Sequence, residues 1–547
     1  CRIASSRFFL RSFKFVPNKI TAGVTEFFFK PTSNLMKDKT IPFTFAAHKK
    51  IEMKQFFKFM LASMAGFFLA GFLMILFLVF LISGIVGGLQ DDGKVKISDH
   101  SVLQINLEGP IKERANKNPI EDIGFSGIVI NRGLGLDDIL KSIEEAKTDN
   151  RIDGLFLNIN SLETGLATVE EIRNALLDFK TSKKFIYAYS ESYSQGEYYL
   201  ASLADKIYLY PEGDIDFKGF HAELMFFKGT LEKLEVEPEV IRHGKFKSAV
   251  EPFILDKMSP ENREQTHAFI SSMWNQFISD ISVSRKLSVK DVQAVADNLG
   301  ARTGQDALDA KFVDQLSYYD EVLDELKKKT GLNSDEKVKF VEIKKYAQAL
   351  PAIKEYSAKK IAVIYANGDI VSGKGDEGQM GSDKIASAIR KARTDSTIKA
   401  IVLRVNSPGG SALASDVIWR ETILAKKAKP LVVSMGDYAA SGGYYISCAA
   451  DKIVAQPTTI TGSIGVFGLL VNAQKLFNNK LGITIDSVRT ARYSNLGSTF
   501  YPLSTDERDI IQSSVEKIYD TFITHVSEGR KMTKAAVDSI GQGRVWS

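Results

Sequence analysis

The feature that most constrains this chain is that its sequence is written twice. At an offset of 246 positions, "DDILKSIEEAKTDNRIDGLFLNIN" (Asp137 to Asn160) lies over "DKIASAIRKARTDSTIKAIVLRVN" (Asp383 to Asn406). Continuing without a gap, "YYLASLADKIYLYP" (Tyr198 to Pro211) lies over "YYISCAADKIVAQP" (Tyr444 to Pro457). Upstream, "VLQINLEGPI" (Val102 to Ile111) matches "IAVIYANGDI" (Ile361 to Ile370) at an offset of 259. A fold that satisfies one copy must therefore satisfy the other. At 547 residues the chain is also too long for one ordinary core.

Within each copy short apolar runs alternate with amphipathic stretches. In the second, the strand "KIAVIYANG" is followed by the helix "SDKIASAIRKARTD" and the buried strand "IKAIVLRVNS". Then come the helix "ALASDVIWRETILAKKA", the strand "PLVVSMG", the helix "SGGYYISCAAD" and the strand "KIVAQP". Strands separated by helices of this size imply βαβ units, so the expected fold class is α/β with a largely parallel sheet in each copy. The polar stretch Lys327 to Glu342 is the expected boundary, giving a first repeat over 91–330 and a second over 331–547. The second stops near the counterpart of Thr303, so it is expected to lack a closing helix and strand.

Ahead of the repeats, Phe59 to Gln90 contains no charged residue, longer than the roughly 20 residues that span a bilayer. Lys49, Lys50, Lys54 and Lys58 precede it and Asp91 and Asp92 follow, which orients the N-terminus to the cytoplasm and the repeats to the far side. A cleaved signal peptide would have a shorter apolar region, so residues 53–90 are read as an uncleaved anchor. "MKQFFKFMLA" from Met53 reads as a natural start, and residues 1–52 as upstream read-through or a disordered extension. A net charge of +5 on so long a chain gives no nucleic-acid signature. Cys1 and Cys448, with six scattered histidines, make neither a disulfide framework nor a metal spacing, so no metal or cofactor is expected.

Two segments carry chemistry. "RVNSPGGSALAS" (Arg404 to Ser415) places Gly409 and Gly410 between a buried strand and a helix, where backbone N–H groups can meet an oxyanion or phosphate. The first copy has "NINSLETGLAT" there, so the Gly-Gly pair is not needed simply to make the turn. In "YAASGGYYIS" (Tyr438 to Ser447), Ser441 opens a helix. A serine there is ordinarily an N-cap, but small Ala439, Ala440, Gly442 and Gly443 leave its hydroxyl open space. The first copy has "YSQGEYYLAS", with Gln195 at that position.

A nucleophilic serine needs a base. "RHGKFKSAVEPF" (Arg242 to Phe253) aligns with "RTARYSNLGSTF" (Arg489 to Phe500) at an offset of 247, which sets Lys247 against Ser494. The first copy has the lysine and lacks the serine; the second has the reverse. His243 is an alternative base, whereas His525 falls on an outer helix.

The motifs "VNSPGGS", "YAASGGYYIS", "TTITGSIGVFG" and "HGKFKSAVEPF" together resemble the signal peptide peptidase A (protease IV) family in its long, duplicated, membrane-anchored form. The resemblance runs from Met53 to Ser547. It implies a Clp/crotonase fold, Ser441 as nucleophile and Lys247 as general base, meeting across the boundary between the copies. It further implies a homotetramer with its catalytic grooves inside, signal peptides and other apolar peptides as substrates, and a bacterial cytoplasmic-membrane location. Backbone N–H groups of Gly410 and Gly442 are expected to hold the oxyanion, and Thr461, Gly462 and Ser463 to line the substrate groove; Ser463 is not read as a second nucleophile.

The dyad makes one physical demand. Lysine ordinarily titrates near 10.4 and must be buried to be neutral at working pH. Phe246, Ala249, Val250 and Phe253 are the expected cover. Two other readings stand beside the peptidase: a crotonase-like acyl-CoA hydratase or isomerase on the same fold, and a non-catalytic membrane scaffold.

Overall fold

A computed structural model describes residues 53–89, 97–115, 134–159, 161–350 and 357–547. The segment 1–52 lies outside the described residues. Met53–Leu89 is one helix of 37 residues, and its stretch Gln55–Phe80 has a mean hydropathy of 2.4 with its side chains exposed. It is long and apolar enough to cross a bilayer.

From Val95 onward the chain forms a second unit built on two parallel sheets. The first runs, edge to edge, Gln315–Leu316, Lys206–Leu209, Phe185–Ser190, Ile152–Leu157, Ser101–Ile105 and Phe340–Glu342. The second runs Lys360–Asn367, Ile398–Ser407, Leu431–Ala440 and Ile460–Gly462, closed by the antiparallel Val545–Trp546. Strands buried on both faces need near-continuous apolar runs, which "GLFL" and "AIVL" supply. Each first crossover helix buries one stripe: Leu136, Ile139, Ile143 and Ala146 in Leu136–Thr148, and Ile385, Ile389 and Ala392 in Ser382–Thr394. The sequence reading of an α/β fold with parallel sheets is thus observed.

Two local details differ from the sequence reading. Phe340–Glu342, at the end of the polar boundary stretch, is an edge strand of the first sheet, pairing Phe340 with Val102. The following helix Ile343–Ala349 buries Ile343 and Tyr346 on the same unit. Apolar residues among lysines hold this segment to the first copy, so the second sheet begins with Lys360. The repeat alignment also slips. Leu155 pairs with Ile186 while Ile401 pairs with Leu431, an offset of 245 in the third strand, and Lys206 and Lys452 restore 246. The second copy regains its residue at Gly436–Tyr438, where the register jumps from Val405↔Met435 to Ser407↔Ala439, just before Ser441.

The copies are laced together. Glu237–Arg242 of the first pairs antiparallel with Phe467–Asn472 of the second. That pairing carries the following loop, His243 to Val250, to the C-terminal ends of the second sheet.

Candidate active site

Ser441 lies between the strand Leu431–Ala440 and the short helix Gly442–Ser447, with φ 53° and ψ −118° and no side-chain cap bond. The N-cap reading therefore fails here. A non-glycine residue in this region is strained by about 1–3 kcal/mol, and the sharp strand-to-helix turn lifts the hydroxyl away from the helix it precedes. The strain is held by packing. The Ser441 N–H donates to the Gly462 carbonyl at 2.9 Å. Thr168 of the first copy donates its N–H and Oγ1 to Asp437 at 2.9 and 2.8 Å. Asn406 accepts the Tyr438 N–H and donates to Glu113.

The first copy shows the same turn without the serine. Ser194 is an ordinary N-cap in a capping box with Glu197. Gln195 fills the space, accepting from Lys218 N–H and Gly219 N–H at 2.9 and 2.8 Å.

The Gly409 and Gly442 backbones meet at close quarters beside Ser441. A Cβ on Gly409 would stand 2.8 Å from Ser441 Cβ and 2.7 Å from Gly442 N. One on Gly442 would stand 2.6 Å from Ser415 Oγ and 3.2 Å from Gly410 N. The Gly410 and Gly442 backbones thus lie together beside Ser441, and the Gly442 N–H, in a first helical turn, has no intrahelical acceptor.

Lys247 meets Ser441 within the one chain. Its Nζ lies 3.3 Å from Ser441 Oγ, 3.0 Å from Ser463 Oγ and 3.2 Å from the Ser463 carbonyl. The residue is 4% exposed, and burial pushes its pKa down from the ordinary 10.5 to about 8. The cover differs in part from that expected. Phe246 and Val250 are buried, but Ala249 is exposed and Phe253 stacks on Phe227 instead. The second copy supplies the rest: Gly465 lies against Lys247 Cδ, Gly543 against its Cβ, and the Phe467 ring centroid is 5.9 Å from Nζ.

Thr461 and Gly462 sit in a strand paired on both sides, to Ala439–Ala440 and to Val545–Trp546. Thr461 Oγ1 donates to the Ala439 carbonyl, and the Gly462 carbonyl holds Ser441, so both buttress the turn and offer no free strand edge. Ser463, expected in the groove, is instead found holding the lysine through its two oxygens. The sequence carried a signal for this, because its counterpart at offset 246 is Phe217 in the copy that lacks Ser441. His243 stacks on Tyr519 at 3.7 Å and pairs with Glu516 at 2.6 Å, away from Ser441. His525 is mostly buried, stacked on Trp419 and bonded to Asp416 at 3.2 Å.

A buried amine whose pKa is lowered to about 8, beside a partly buried hydroxyl on a strained residue and close to two glycine backbones, has the parts that acyl transfer uses. Comparison with known proteins agrees. The chain matches Peptidase family S49 over residues 178–333 and 423–547, and Clp protease over 354–460. It is 37% identical over 490 residues to Protease 4 of Haemophilus influenzae, covering 86% of this chain and 78% of that protein. Against Protease 4 of Salmonella typhi it is 42% identical over 423 residues, 75% of this chain and 68% of the other. The chloroplastic serine protease SPPA of Arabidopsis thaliana is 32% identical over 463 residues, 83% of this chain and 66% of that one. The chain is a serine protease of peptidase family S49 and belongs to its signal peptide peptidase A (protease IV) branch.

Proposed function

We propose that this protein is a membrane-anchored endopeptidase in which Ser441 is the nucleophile and Lys247 the general base, acting on signal peptides left in the bilayer. The observation that carries the reading is the 3.3 Å approach of Nζ to Oγ at a lysine titrating near 8. Neutral Lys247 takes the Ser441 proton as Oγ attacks the peptide carbonyl, and the oxygen gains charge facing the Gly410 and Gly442 N–H groups. The ammonium then protonates the leaving amine as the C–N bond breaks, and water releases the acyl group by the same route. Ser463 keeps Nζ on its mark through both steps. Exposed Tyr438, Leu413 and Phe467 give the rim of the site an apolar character, which suits apolar peptides. The Met53–Leu89 helix would hold the site beside peptides in the membrane, with the N-terminus cytoplasmic and the repeats on the outer face of a bacterial inner membrane.

The same reading makes the chain one member of a homotetramer, the number of chains coming from the family resemblance. Its support is the repeat itself. The lacing strands Glu237–Arg242 and Phe467–Asn472 have counterparts at 484–489 and 221–226, neither of which lies in a strand. Val488, the counterpart of the 2%-exposed Ile241, is 96% exposed. Next to 221–226 is a groove of about 1110 Å³ lined in part by Ser271 and Trp274, the counterparts of the Glu516 and Tyr519 that hold His243. An exposed segment free to pair at 484–489 and a matching groove beside 221–226 suit a head-to-tail contact, which makes a ring where its rotation closes.

The test is a fluorophosphonate probe on the full chain in detergent. Wild type should label and hydrolyse peptide, and Ser441→Ala should do neither; labelling that survives Ser441→Ala refutes the assignment.

A further inference from the structure

The backbone on both sides of Lys247 is held by a side chain that no motif singles out. Gln265, on the helix Pro260–Arg285, is 2% exposed. Its Nε2 donates to the Phe246 carbonyl at 3.0 Å and to Ser248 Oγ at 2.6 Å, and its Oε1 accepts the Val545 N–H at 3.1 Å. Val545 ends a segment that is itself shared. Gln542 accepts the Phe246 N–H at 2.9 Å, Gly543 donates to the Ile464 carbonyl at 2.7 Å, and the Arg544 carbonyl accepts the Ser463 N–H at 2.7 Å. One amide therefore joins the neighbours of Lys247 in the first copy to the strip that sets Ser463 in the second.

The repeat provides an internal control. Helix Thr505–Arg530 matches Pro260–Arg285 in its 26 residues, its capping serine (Ser504 for Ser259) and its left-handed closing lysine (Lys531 for Lys286). At that offset of 245, Gln265 corresponds to Ile510, which is 39% exposed. The copy with Ser494 in place of the lysine has also replaced the glutamine. A helix in this position does not need a buried amide to pack; the amide accompanies the lysine.

We infer that Gln265 is a positioning residue for the general base, holding the Lys247 loop against 542–545 so that Nζ stays between Ser441 and Ser463 and out of water. The inference rests on the Ser441–Lys247 reading above. The charged groups around the loop are engaged elsewhere. Arg242 lies 3.7 Å from Glu251 and donates to the Lys247 carbonyl, Arg544 pairs with Glu264, and His243 with Glu516. Lys245, on the Phe246 ring, is exposed. Burial is thus the main influence on Lys247, and Gln265 guards it.

The test compares Gln265→Ala and Gln265→Glu with Gln276→Ala, a control on the same helix whose amide holds only the Asp280 carboxylate. The full chain in detergent is assayed for kcat and KM on a fluorogenic peptide from pH 6 to 10, with thermal unfolding alongside. Both Gln265 variants should lose about tenfold or more in kcat, keep KM within about twofold, and move the acidic limb up by about one pH unit as water reaches the amine. Gln276→Ala should lower the unfolding temperature and leave the limb in place. Gln265→Glu, which keeps the size and the acceptor for Val545, is read alone should Gln265→Ala not fold. A folded Gln265 variant with a wild-type limb and kcat overturns the inference. Peptidase activity surviving Lys247→Ala would instead overturn the dyad on which it rests.

Discussion

Replacing Lys247 with methionine should make the protein more stable at neutral pH while abolishing its activity. In the unfolded chain this lysine titrates near 10.5, in the folded chain near 8. At about 1.36 kcal/mol per pH unit, the gap is worth about 3 kcal/mol. The sign follows from proton uptake: between pH 8 and 10.5 the unfolded state binds the proton and the native state does not, so stability rises with pH across that window. Below pH 8 both states are charged, and the native state bears the whole cost of a buried ammonium. Methionine fills similar space without that charge. Urea unfolding of wild type and Lys247→Met at pH 6, 7, 8, 9 and 10 should show the variant ahead by up to about 3 kcal/mol at pH 6–7, with the lead shrinking from pH 8 upward. The same pKa sets the acidic limb of kcat/KM near pH 8, with about one chain in ten holding neutral lysine at pH 7. A stability difference that is flat with pH, together with a limb far from 8, would refute the claim that burial tunes this lysine.

Two further outcomes follow from the packing. Gly409→Ala places a methyl group 2.8 Å from Ser441 Cβ on a residue at φ 110°, and should cost about 1–3 kcal/mol and at least about a hundredfold in kcat; wild-type turnover in a folded variant would show that the two backbones need not meet. Val488→Lys puts a charge on a position 96% exposed in the single chain, and should release single chains in native mass measurement; an unchanged assembly mass would remove the head-to-tail ring.

Much of the protein is legible without coordinates because the signals are local or repeated. Apolar runs of four to six residues, alternating with helices that bury every third or fourth residue, specify parallel βαβ units whichever copy is read. An uncharged stretch from Phe59 to Gln90 is long enough for a bilayer wherever it occurs. The exchange of Gln195 for Ser441 and of Lys247 for Ser494 singles out the proposed nucleophile and base by comparing the chain with itself. The same comparison, pressed further, marks Ser463 against Phe217 and Gln265 against Ile510.

Tertiary structure decided where those residues stand and what surrounds them. Ser441 could have been an N-cap, as Ser194 is; its left-handed φ, held by Gly462, Asp437 and the close Gly409 backbone, makes it a raised hydroxyl instead. Thr461 and Gly462 have the composition of an open strand, yet pairing on both sides makes them a buttress. The lysine depends most on distant chain. Its sequence neighbours Phe246 and Val250 supply only part of its cover, while Gly465, Phe467 and Gly543 arrive from more than two hundred residues away through the pairing of Glu237–Arg242 with Phe467–Asn472. The sequence alone determined the two copies, their α/β fold, the apolar helix and which serine and lysine each copy keeps. Proton affinity depends on which atoms exclude water from Nζ, and those atoms come together only when the copies interlock.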